Sequence, residues 1–229
     1  MICSCRRIIG ARYYSKGFET EFGALESNSE PSFRSARDAD GHGTHVASTI
    51  LGSVTPYASL PGNIAPSVAR GGAVGARLAV YKACWFHLCT DADVLSALDD
   101  AVADGVDIIS ISAGHVHTPP HSFFQDAYSI GSFHAFRKNI LVTSSAGNHG
   151  PGTPGTATNV FPWTLTVAAS SIDRQLNSYI YLGNSTVLRV NHLKRCLCFC
   201  KHTHFLSYDY VACSCSSTFS SQLHLFPVM

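Results

Sequence analysis

Between residues 77 and 168, short apolar runs typical of strands alternate with stretches whose apolar residues have helical spacing. Four short apolar runs, rich in aliphatic and β-branched residues, predict strands at 77–81, 106–112, 140–144 and 164–168. Two stretches with apolar residues at helical spacing predict helices over 92–104 and 124–138. Asp91 fits the N-cap of the first helix and Gly105 its C-terminal glycine. This alternation predicts an α/β fold: a parallel doubly wound sheet with helices on both faces.

The flanking segments carry weaker patterns. Residues 41–52 combine small and apolar side chains with a closing glycine, which predicts a short buried helix beginning near His42. Residues 11–40 are polar and turn-rich, and residues 53–72 are rich in Pro, Gly and Ser, so both are predicted to be surface loops. Four side chains are predicted to point inward from the second helix: Ile130, Phe133, His134 and Phe136.

Two short polar segments follow predicted strands directly. Ser112–Ala113–Gly114 comes after the second strand, and Ala146–Gly147–Asn148 comes after the third. In parallel α/β sheets, functional groups gather at the carboxyl ends of the strands. We therefore expect the site at that edge of the sheet.

The composition fits a compact body and excludes several partners. Of the 229 residues, 45% are hydrophobic and only 14% are charged, which is not typical of a disordered chain. The net charge of +1, without a long basic run, predicts neither nucleic-acid nor polybasic membrane binding. No apolar stretch is long enough to span a membrane. The first ten residues lack the apolar core of a signal peptide, so none is expected in this chain.

Cysteine placement leaves two possibilities open. Cys84 and Cys89 could form a short-loop disulfide in a secreted protein, or they could remain free thiols. Five of the nine cysteines crowd the C-terminal region in C-x-C spacing, which does not match a zinc ribbon. No metal site is predicted there.

Two motifs carry the chemistry. Residues 40–48 are DGHGTHVAS, and residues 144–151 are SSAGNHGP. These strings resemble the histidine and oxyanion-asparagine blocks of the subtilisin-like serine proteases, most closely the plant subtilases. Further resemblance lies at residues 9–14, 69–82 and 158–163, and in all it covers residues 7–189. It implies a subtilisin-like fold and serine endopeptidase activity on peptide or protein substrates. It further implies no cofactor and an extracellular location in the apoplast or cell wall.

The resemblance assigns roles residue by residue. His42 corresponds to the general base, and Asn148 to the side-chain donor of the oxyanion hole. His45, one turn further on, is interpreted as a packed structural histidine. The substrate-binding positions, which pair with the substrate backbone as an added strand, are Ser110, Ile111, Ser112, Ala113, Gly114, Ala146 and Gly147. Ala113 stands where the family usually has leucine, and His115 where it usually has glycine.

Two family blocks do not occur in residues 1–229: the aspartate block D-[ST]-G and the serine block G-T-S-M-[AS]. The chain is therefore predicted to be catalytically incomplete as given. Asp38 and Asp40 precede His42 by four and two residues, whereas the aspartate of the family comes from a separate strand far upstream. Asp40 lies too close in sequence to reach the far ring nitrogen easily, and a capping or loop role is favoured for it. Without these blocks, five apolar side chains are predicted to lose the elements that would cover them: Val80, Ile109, Ile111, Leu141 and Val142. The chain is therefore predicted to be poorly stable.

The residue composition changes after Arg189. Residues 190–229 contain no glycine and resemble nothing in the family, so the peptidase domain is predicted to span 1–189. The Val190–Asn191 codons are compatible with a splice donor, which favours a translated intron for the Cys-rich tail. Asn184 heads an N-S-T sequon and is a glycosylation candidate.

Two alternatives of other classes stay open. One is a non-catalytic relative that binds peptide through residues 110–114. The other is a metal-binding protein, suggested by the pairs His115/His117 and His202/His204, although neither an H-E-x-x-H motif nor a carboxylate cluster supports it.

Overall fold

The computed structural model describes residues 7–28, 30, 32–60, 64–114, 122–150, 154–170, 178–181, 184–190 and 212–214. Their contacts divide the chain into two compact units. Residues 7–54 and 70–170 belong to the first unit, and residues 55–69 with the described residues from 178 to 214 belong to the second. Within these ranges, no helix has the length and apolar character that a membrane crossing requires.

The first unit contains parallel strands joined by helices. Its elements are β1 (Ile8–Tyr13), α1 (Lys16–Phe22), α2 (His42–Leu51), β4 (Leu78–Lys82), β5 (Cys84–Trp85), β6 (Leu88–Cys89), α3 (Asp91–Ala103), β7 (Ile108–Ile111), α4 (Ala127–Arg137), β8 (Leu141–Ser145) and β9 (Leu165–Val167). Strand β1 pairs in parallel with β4. A second parallel sheet has the order β7–β8–β9. The predicted α/β class with parallel strands is confirmed.

One face of the β7–β8–β9 sheet is covered by α3 and α4. Ile109, Ile111 and Val142 are 8%, 9% and 0% exposed and lie in one cluster with Val94 and Leu98 of α3. The prediction that Ile109, Ile111 and Val142 lose their cover is therefore wrong. Residues of α4 and Phe161 belong to the same cluster and complete their cover.

Helix α4 faces this core with its small residues, namely Ala127, Ser129, Gly131, Ser132 and Ala135, together with Tyr128. A Cβ on Gly131 would lie 2.3 Å from Leu98 Cδ1, so only glycine allows α3 and α4 to approach this closely. Of the predicted inward residues, Ile130 is partly buried, but the prediction was wrong for the other three, because Phe133 and Phe136 are 38% and 54% exposed and His134 is also exposed.

The opposite face of the same sheet exposes aliphatic side chains. Ile108 pairs in register with Leu141, and these residues are 59% and 48% exposed. Leu165, 52% exposed, pairs with Thr143 on the same face. For Leu141, the predicted loss of cover is thus confirmed.

A smaller core surrounds Trp85. Phe18, Leu25 and Trp85 are buried together, and the Trp85 Nε1–H donates to Tyr14 O at 2.6 Å. Trp85 belongs to the β5–β6 hairpin, whose cross-strand pair Cys84–Cys89 forms a disulfide. Of the two states left open by the sequence, the structure has the bonded one.

Several boundaries differ from the sequence-based prediction. Residues 11–40 are not all loop, because they include the end of β1, all of α1 and a short 3₁₀ helix at Leu25–Ser27. Helix α2 begins at His42 and ends before Gly52 as predicted, but it is not buried, since Leu51 is its only buried residue.

The second unit contains two antiparallel sheets. Strands β2 (Thr55–Leu60) and β3 (Ile64–Ala69) form a hairpin within 53–72, a segment predicted to be loop. Strand β10 (Ser178–Tyr181) pairs with β11 (Val187–Val190) and with β12 (Ala212–Ser214).

Candidate active site

His42 is the first residue of α2. The preceding residue, Gly41, is the N-cap and has φ 102, a left-handed conformation that suits glycine. The His42 side chain is exposed, and its backbone N–H donates to Asp40 Oδ2 at 3.3 Å. An exposed imidazole at the start of a helix is accessible to a reacting group.

A turn centred on Asp38 fixes this helix start. Asp38 Oδ1 accepts from the N–H groups of Asp40 and Gly41 at 3.0 and 2.9 Å. Asp38 Oδ2 accepts from the Thr44 N–H at 2.7 Å and from its hydroxyl at 2.6 Å. Partial burial raises the pKa of Asp38, but these hydrogen bonds outweigh it and lower the pKa to about 2. Asp38 is therefore ionised, and it caps the Thr44 N–H in the first turn of α2.

The end of β4 supports the same turn. Lys82 Nζ donates to Arg37 O at 2.8 Å and lies 4.0 Å from the centroid of the Trp85 ring. Burial lowers the pKa of Lys82. On the other side, His87 Nε2 of the disulfide hairpin lies 3.6 Å from Asp40 Oδ1. The His42 turn is thus contacted from both β4 and the hairpin.

His45 does not have the predicted packed environment. Its side chain is exposed in α2. Its carbonyl oxygen accepts from the Ser48 and Thr49 hydroxyls at 2.8 and 2.9 Å. The prediction failed because His45 belongs to the exposed N-terminal half of α2, whereas partial burial begins at Val46 and only Leu51 is fully buried.

The candidate substrate strand coincides with the end of β7. Ser110 and Ile111 are its last residues, and Ser112, Ala113 and Gly114 continue beyond it. Ile111 pairs in register with Ser144 of β8, so the two chain segments leave the sheet at the same edge. The Ser112 Oγ atom is buried and has no hydrogen-bond partner among the residues described.

The oxyanion candidate Asn148 lies in the loop that leaves β8. Ala146 N–H donates to Val167 O at 3.0 Å, and Ala146 O accepts from Thr158 N–H at 3.0 Å. Asn148 itself is exposed. The structure therefore brings residues 110–114 and 146–148 to one edge, as predicted. No hydrogen bond or ion pair between described residues joins His42 to Asn148.

Asn159 is a residue of this edge that the sequence reasoning did not assign. It is 6% exposed, and its Nδ2 group donates to Ala113 O and to Ser145 O, each at 2.9 Å. One amide thereby joins the segments that leave β7 and β8. Its position inside the family-like block at 158–163 was the available signal.

Comparison with known proteins decides the family. The sequence model described as the subtilase family matches residues 18–218. The chain belongs to the subtilase family. A subtilisin-like serine-protease S of Lotus japonicus is 57% identical over 185 residues, or 80% of this chain. A subtilisin-like protease SBT5.6 of Arabidopsis thaliana is 46% identical over 197 residues, or 82% of this chain.

The matched region is a limited part of those relatives. The alignments cover 24% of the length of each of these two plant proteins. Among solved structures, Sphericase is 24% identical with a TM-score of 0.44, over 80% of this subtilase chain and 56% of Sphericase. A structure titled S41 Psychrophilic Protease is 20% identical with a TM-score of 0.45, over the same shares of the two chains.

Proposed function

We propose that this chain is the middle part of the catalytic domain of a serine endopeptidase that cleaves peptide bonds in peptide or protein substrates. The observation that carries the proposal is the common edge of β7 and β8, where Ile111 and Ser144 pair in register. Beyond that pair lie the candidate substrate strand and the Asn148 loop. A substrate extended along residues 110–114 would thus present its carbonyl groups beside the oxyanion donor.

The proposed mechanism gives each residue one task. His42 accepts the proton of a serine hydroxyl as that hydroxyl attacks the substrate carbonyl, and later donates it to the leaving amine. Asn148 donates its side-chain N–H to the oxyanion that forms on the carbonyl carbon. The substrate backbone is held by hydrogen bonds to Ser110–Gly114, with Ala146 and Gly147 lining the other side. The Asp38 turn keeps His42 at the start of α2.

We further propose that the nucleophile and the orienting aspartate come from sequence outside this chain, so that the chain alone is inactive. Two features support this. The exposed pair Ile108 and Leu141 leaves one face of the β7–β8–β9 sheet open to a further covering element. Tyr81 of β4 contacts the same core as β7, yet these two strands lie in separate sheets within the described part. An additional strand between them would complete one sheet.

An extracellular location in the apoplast or cell wall is proposed for the same protein. The Cys84–Cys89 disulfide supports it, because such bonds persist mainly in oxidising compartments. Asn184 supports it as well, being exposed in its sequon. Its Oδ1 accepts from the Thr186 N–H at 3.1 Å.

The histidine pairs that suggested a metal-binding protein, His115/His117 and His202/His204, lie outside the described residues.

The peptidase domain is proposed to end near residue 189, with 190–229 unrelated to it, although the family model matches as far as residue 218. Deleting 190–229 removes β12 with its pairing to β10, and also Val190, the last residue of β11, which pairs with Ser178 in the second unit. Trp85 and Trp163, the two tryptophans of the chain, both belong to the first unit. Thermal unfolding followed by tryptophan fluorescence should therefore be unchanged by the deletion. A clear fall in the midpoint would place the tail within the domain.

The test of the main proposal uses a longer polypeptide. Its sequence is obtained by reading the transcript beyond both ends of the 229-residue chain. Cleavage of a fluorogenic peptide library should be abolished by His42→Ala, because loss of the base costs about 10⁶-fold in kcat in a bacterial subtilisin. Asn148→Ala should lower kcat about 10²- to 10³-fold, the cost measured for the oxyanion asparagine of that enzyme. His134→Ala, an exposed histidine on α4, is the matched control and should retain activity.

Two results would redirect the proposal. Cleavage that survives His42→Ala would remove His42 from the chemistry. Peptide binding without cleavage, weakened by substitutions in 110–114, would favour the non-catalytic peptide-binding relative.

A further inference from the structure

The edge that holds the candidate site contains a buried amide with no assigned role. Asn159 is 6% exposed, and both N–H bonds of its Nδ2 group point at backbone carbonyls. One acceptor is Ala113 O, in the candidate substrate strand, and the other is Ser145 O, at the end of β8. The two acceptors belong to segments that strand pairing no longer joins, because the β7–β8 register ends at Ile111 and Ser144.

The backbone around Asn159 is itself tied to the oxyanion loop. The preceding residue, Thr158, donates its N–H to Ala146 O at 3.0 Å. The Asn159 carbonyl accepts from the Thr164 and Thr166 hydroxyls at 3.2 and 2.5 Å. Asn159 has φ 56, a left-handed conformation that asparagine adopts more readily than most residues. The Asn159 side chain therefore projects from a turn that is held by the Thr158–Ala146 bond before it and by the Thr164 and Thr166 hydroxyls after it.

The fit against the substrate strand leaves no free space. A Cβ on Gly114 would lie 2.8 Å from Asn159 Nδ2 and 3.1 Å from its Oδ1. Such distances require one of the two groups to move. A glycine at 114 thus permits the amide to reach Ala113 O.

From this geometry we infer that Asn159 is a positioning residue that sets the distance between the substrate strand and the oxyanion loop. It does not touch the reacting atoms. By holding Ala113 O and Ser145 O to one amide, it fixes where a carbonyl bound along 110–114 lies relative to Asn148. This inference rests on the proposed endopeptidase function for its catalytic consequence, whereas the bridge itself is independent of that function.

Two substitutions separate the bridge from the backbone turn. Asn159→Asp keeps the shape and tolerates the left-handed backbone, but it replaces two donors by an acceptor facing two carbonyl oxygens. Asn159→Gly also keeps the backbone conformation and deletes the amide. Thr164→Val is the matched control, because it removes a hydroxyl bonded to the same turn and leaves the amide bridge intact.

The first measurement is hydrogen exchange on the full 229-residue chain, which requires no catalytic activity. The reporters are the amides of Ala146 and Thr158, whose bonds lie at the bridge. The amides of Val94 and Ile130, in the first turns of α3 and α4, report on the remainder of the unit. Both Asn159 variants should raise exchange at Ala146 and Thr158 about tenfold or more, with unchanged rates at Val94 and Ile130. Thr164→Val should not produce this local pattern.

The second measurement is kinetic and uses the longer polypeptide. Both Asn159 variants should lower kcat about 10- to 100-fold at a temperature where they remain folded, and Thr164→Val should retain kcat. The inference is overturned if Ala146 and Thr158 exchange at wild-type rates in the variants. It is also overturned if all four amides accelerate equally, or if the Ala146 amide is unprotected in the wild-type chain. A polypeptide that fails to cleave any peptide refutes the proposed function, while the exchange pattern still decides the bridge.

Discussion

Asp38 accepts two hydrogen bonds from Thr44 through the same oxygen, Oδ2, at 2.7 Å from the backbone N–H and 2.6 Å from the hydroxyl. The Asp38 side chain, which precedes the helix, thereby binds the first turn of α2 at Thr44. His42 lies inside that turn, so its backbone is held by a residue four positions earlier. Capping of this kind satisfies N–H groups that a helix start leaves without partners.

Replacing Asp38 by Asn should loosen the first turn of α2. Asparagine offers one oxygen instead of two and directs an NH₂ group at N–H donors, so part of the four-bond network is lost. The free energy of unfolding should fall by about 1 kcal/mol, the usual cost of losing an N-terminal cap. Urea titration measures the loss. Asp99→Asn, an exposed carboxylate on α3, is the matched control, and an equal effect of both substitutions would contradict the capping role.

The same carboxylate should make stability depend on acid pH. The pKa of Asp38 is about 2 in the folded chain, against an ordinary value of 3.8. Since the folded value is the lower one, the stabilisation is fully present above about pH 4 and is lost as pH falls towards 2. The pKa values of Glu19, Glu26 and Asp104 are also lowered, and their contribution is shared by wild type and Asp38→Asn.

The unfolding free energy of Asp38→Asn should therefore fall less steeply between pH 4 and pH 2 than that of the wild type. Measuring urea unfolding at intervals of half a pH unit gives both curves. Parallel curves would show that Asp38 does not contribute through its ionised form.

The Cys84–Cys89 disulfide should stabilise the hairpin beside the His42 turn. The bond joins residues with a sequence separation of 5, and the intervening Phe86 and His87 have φ values of 49 and 63. These left-handed conformations oppose folding of a free hairpin. Closing so short a loop contributes about 2 kcal/mol in the chain-entropy account of disulfides.

The double substitution Cys84→Ser, Cys89→Ser should lower the unfolding free energy by about that amount. In a Trp163→Phe background, Trp85 is the only tryptophan, so its fluorescence reports the hairpin directly. Trp85 is 2% exposed, and a red-shifted emission in the double variant would show that the ring has become hydrated. Unchanged emission and stability would mean that packing alone holds the hairpin.

The open sheet face should bind hydrophobic dyes. Ile108 and Leu141 are neighbours there, 59% and 48% exposed. Replacing both by Thr, which suits strands, should lower the fluorescence of a bound naphthalene sulfonate dye and reduce aggregation without a loss of stability. Val54→Thr is the control, because Val54 is 55% exposed at a different place. The interpretation fails if the control lowers dye binding as much as the double variant.

Local patterns predicted some elements of this chain well. Helix α2 begins at His42 because a glycine precedes it and a glycine closes it, and both signals are local. Strands β7 and β8 lie within the predicted strands at 106–112 and 140–144 to within one residue at their C-terminal ends, because Ile108, Ile109, Leu141 and Val142 are local strand signals. The subtilase motifs then assigned His42 and Asn148 by position in the chain.

Non-local pairing explains what was missed. Strand β1 is exposed at every position and is a strand because it pairs with β4, far along the chain. The inward face of α4 depends on Leu98 of α3 lying against Gly131, which no periodicity reveals. Asn159 bridges Ala113 O, beyond the end of β7, and Ser145 O of β8, and a sequence pattern cannot show which carbonyls a side chain meets.

Covalent labelling by a fluorophosphonate probe tests the central claim most directly. Such probes react with an activated serine, which requires a nucleophile, a base and an oxyanion hole together. The 229-residue chain should show no labelling, and the longer polypeptide should be labelled at a serine outside this chain, with labelling lost on His42→Ala. Stoichiometric labelling of the 229-residue chain that is lost on His42→Ala would contradict the account, because the nucleophile would then lie within residues 1–229.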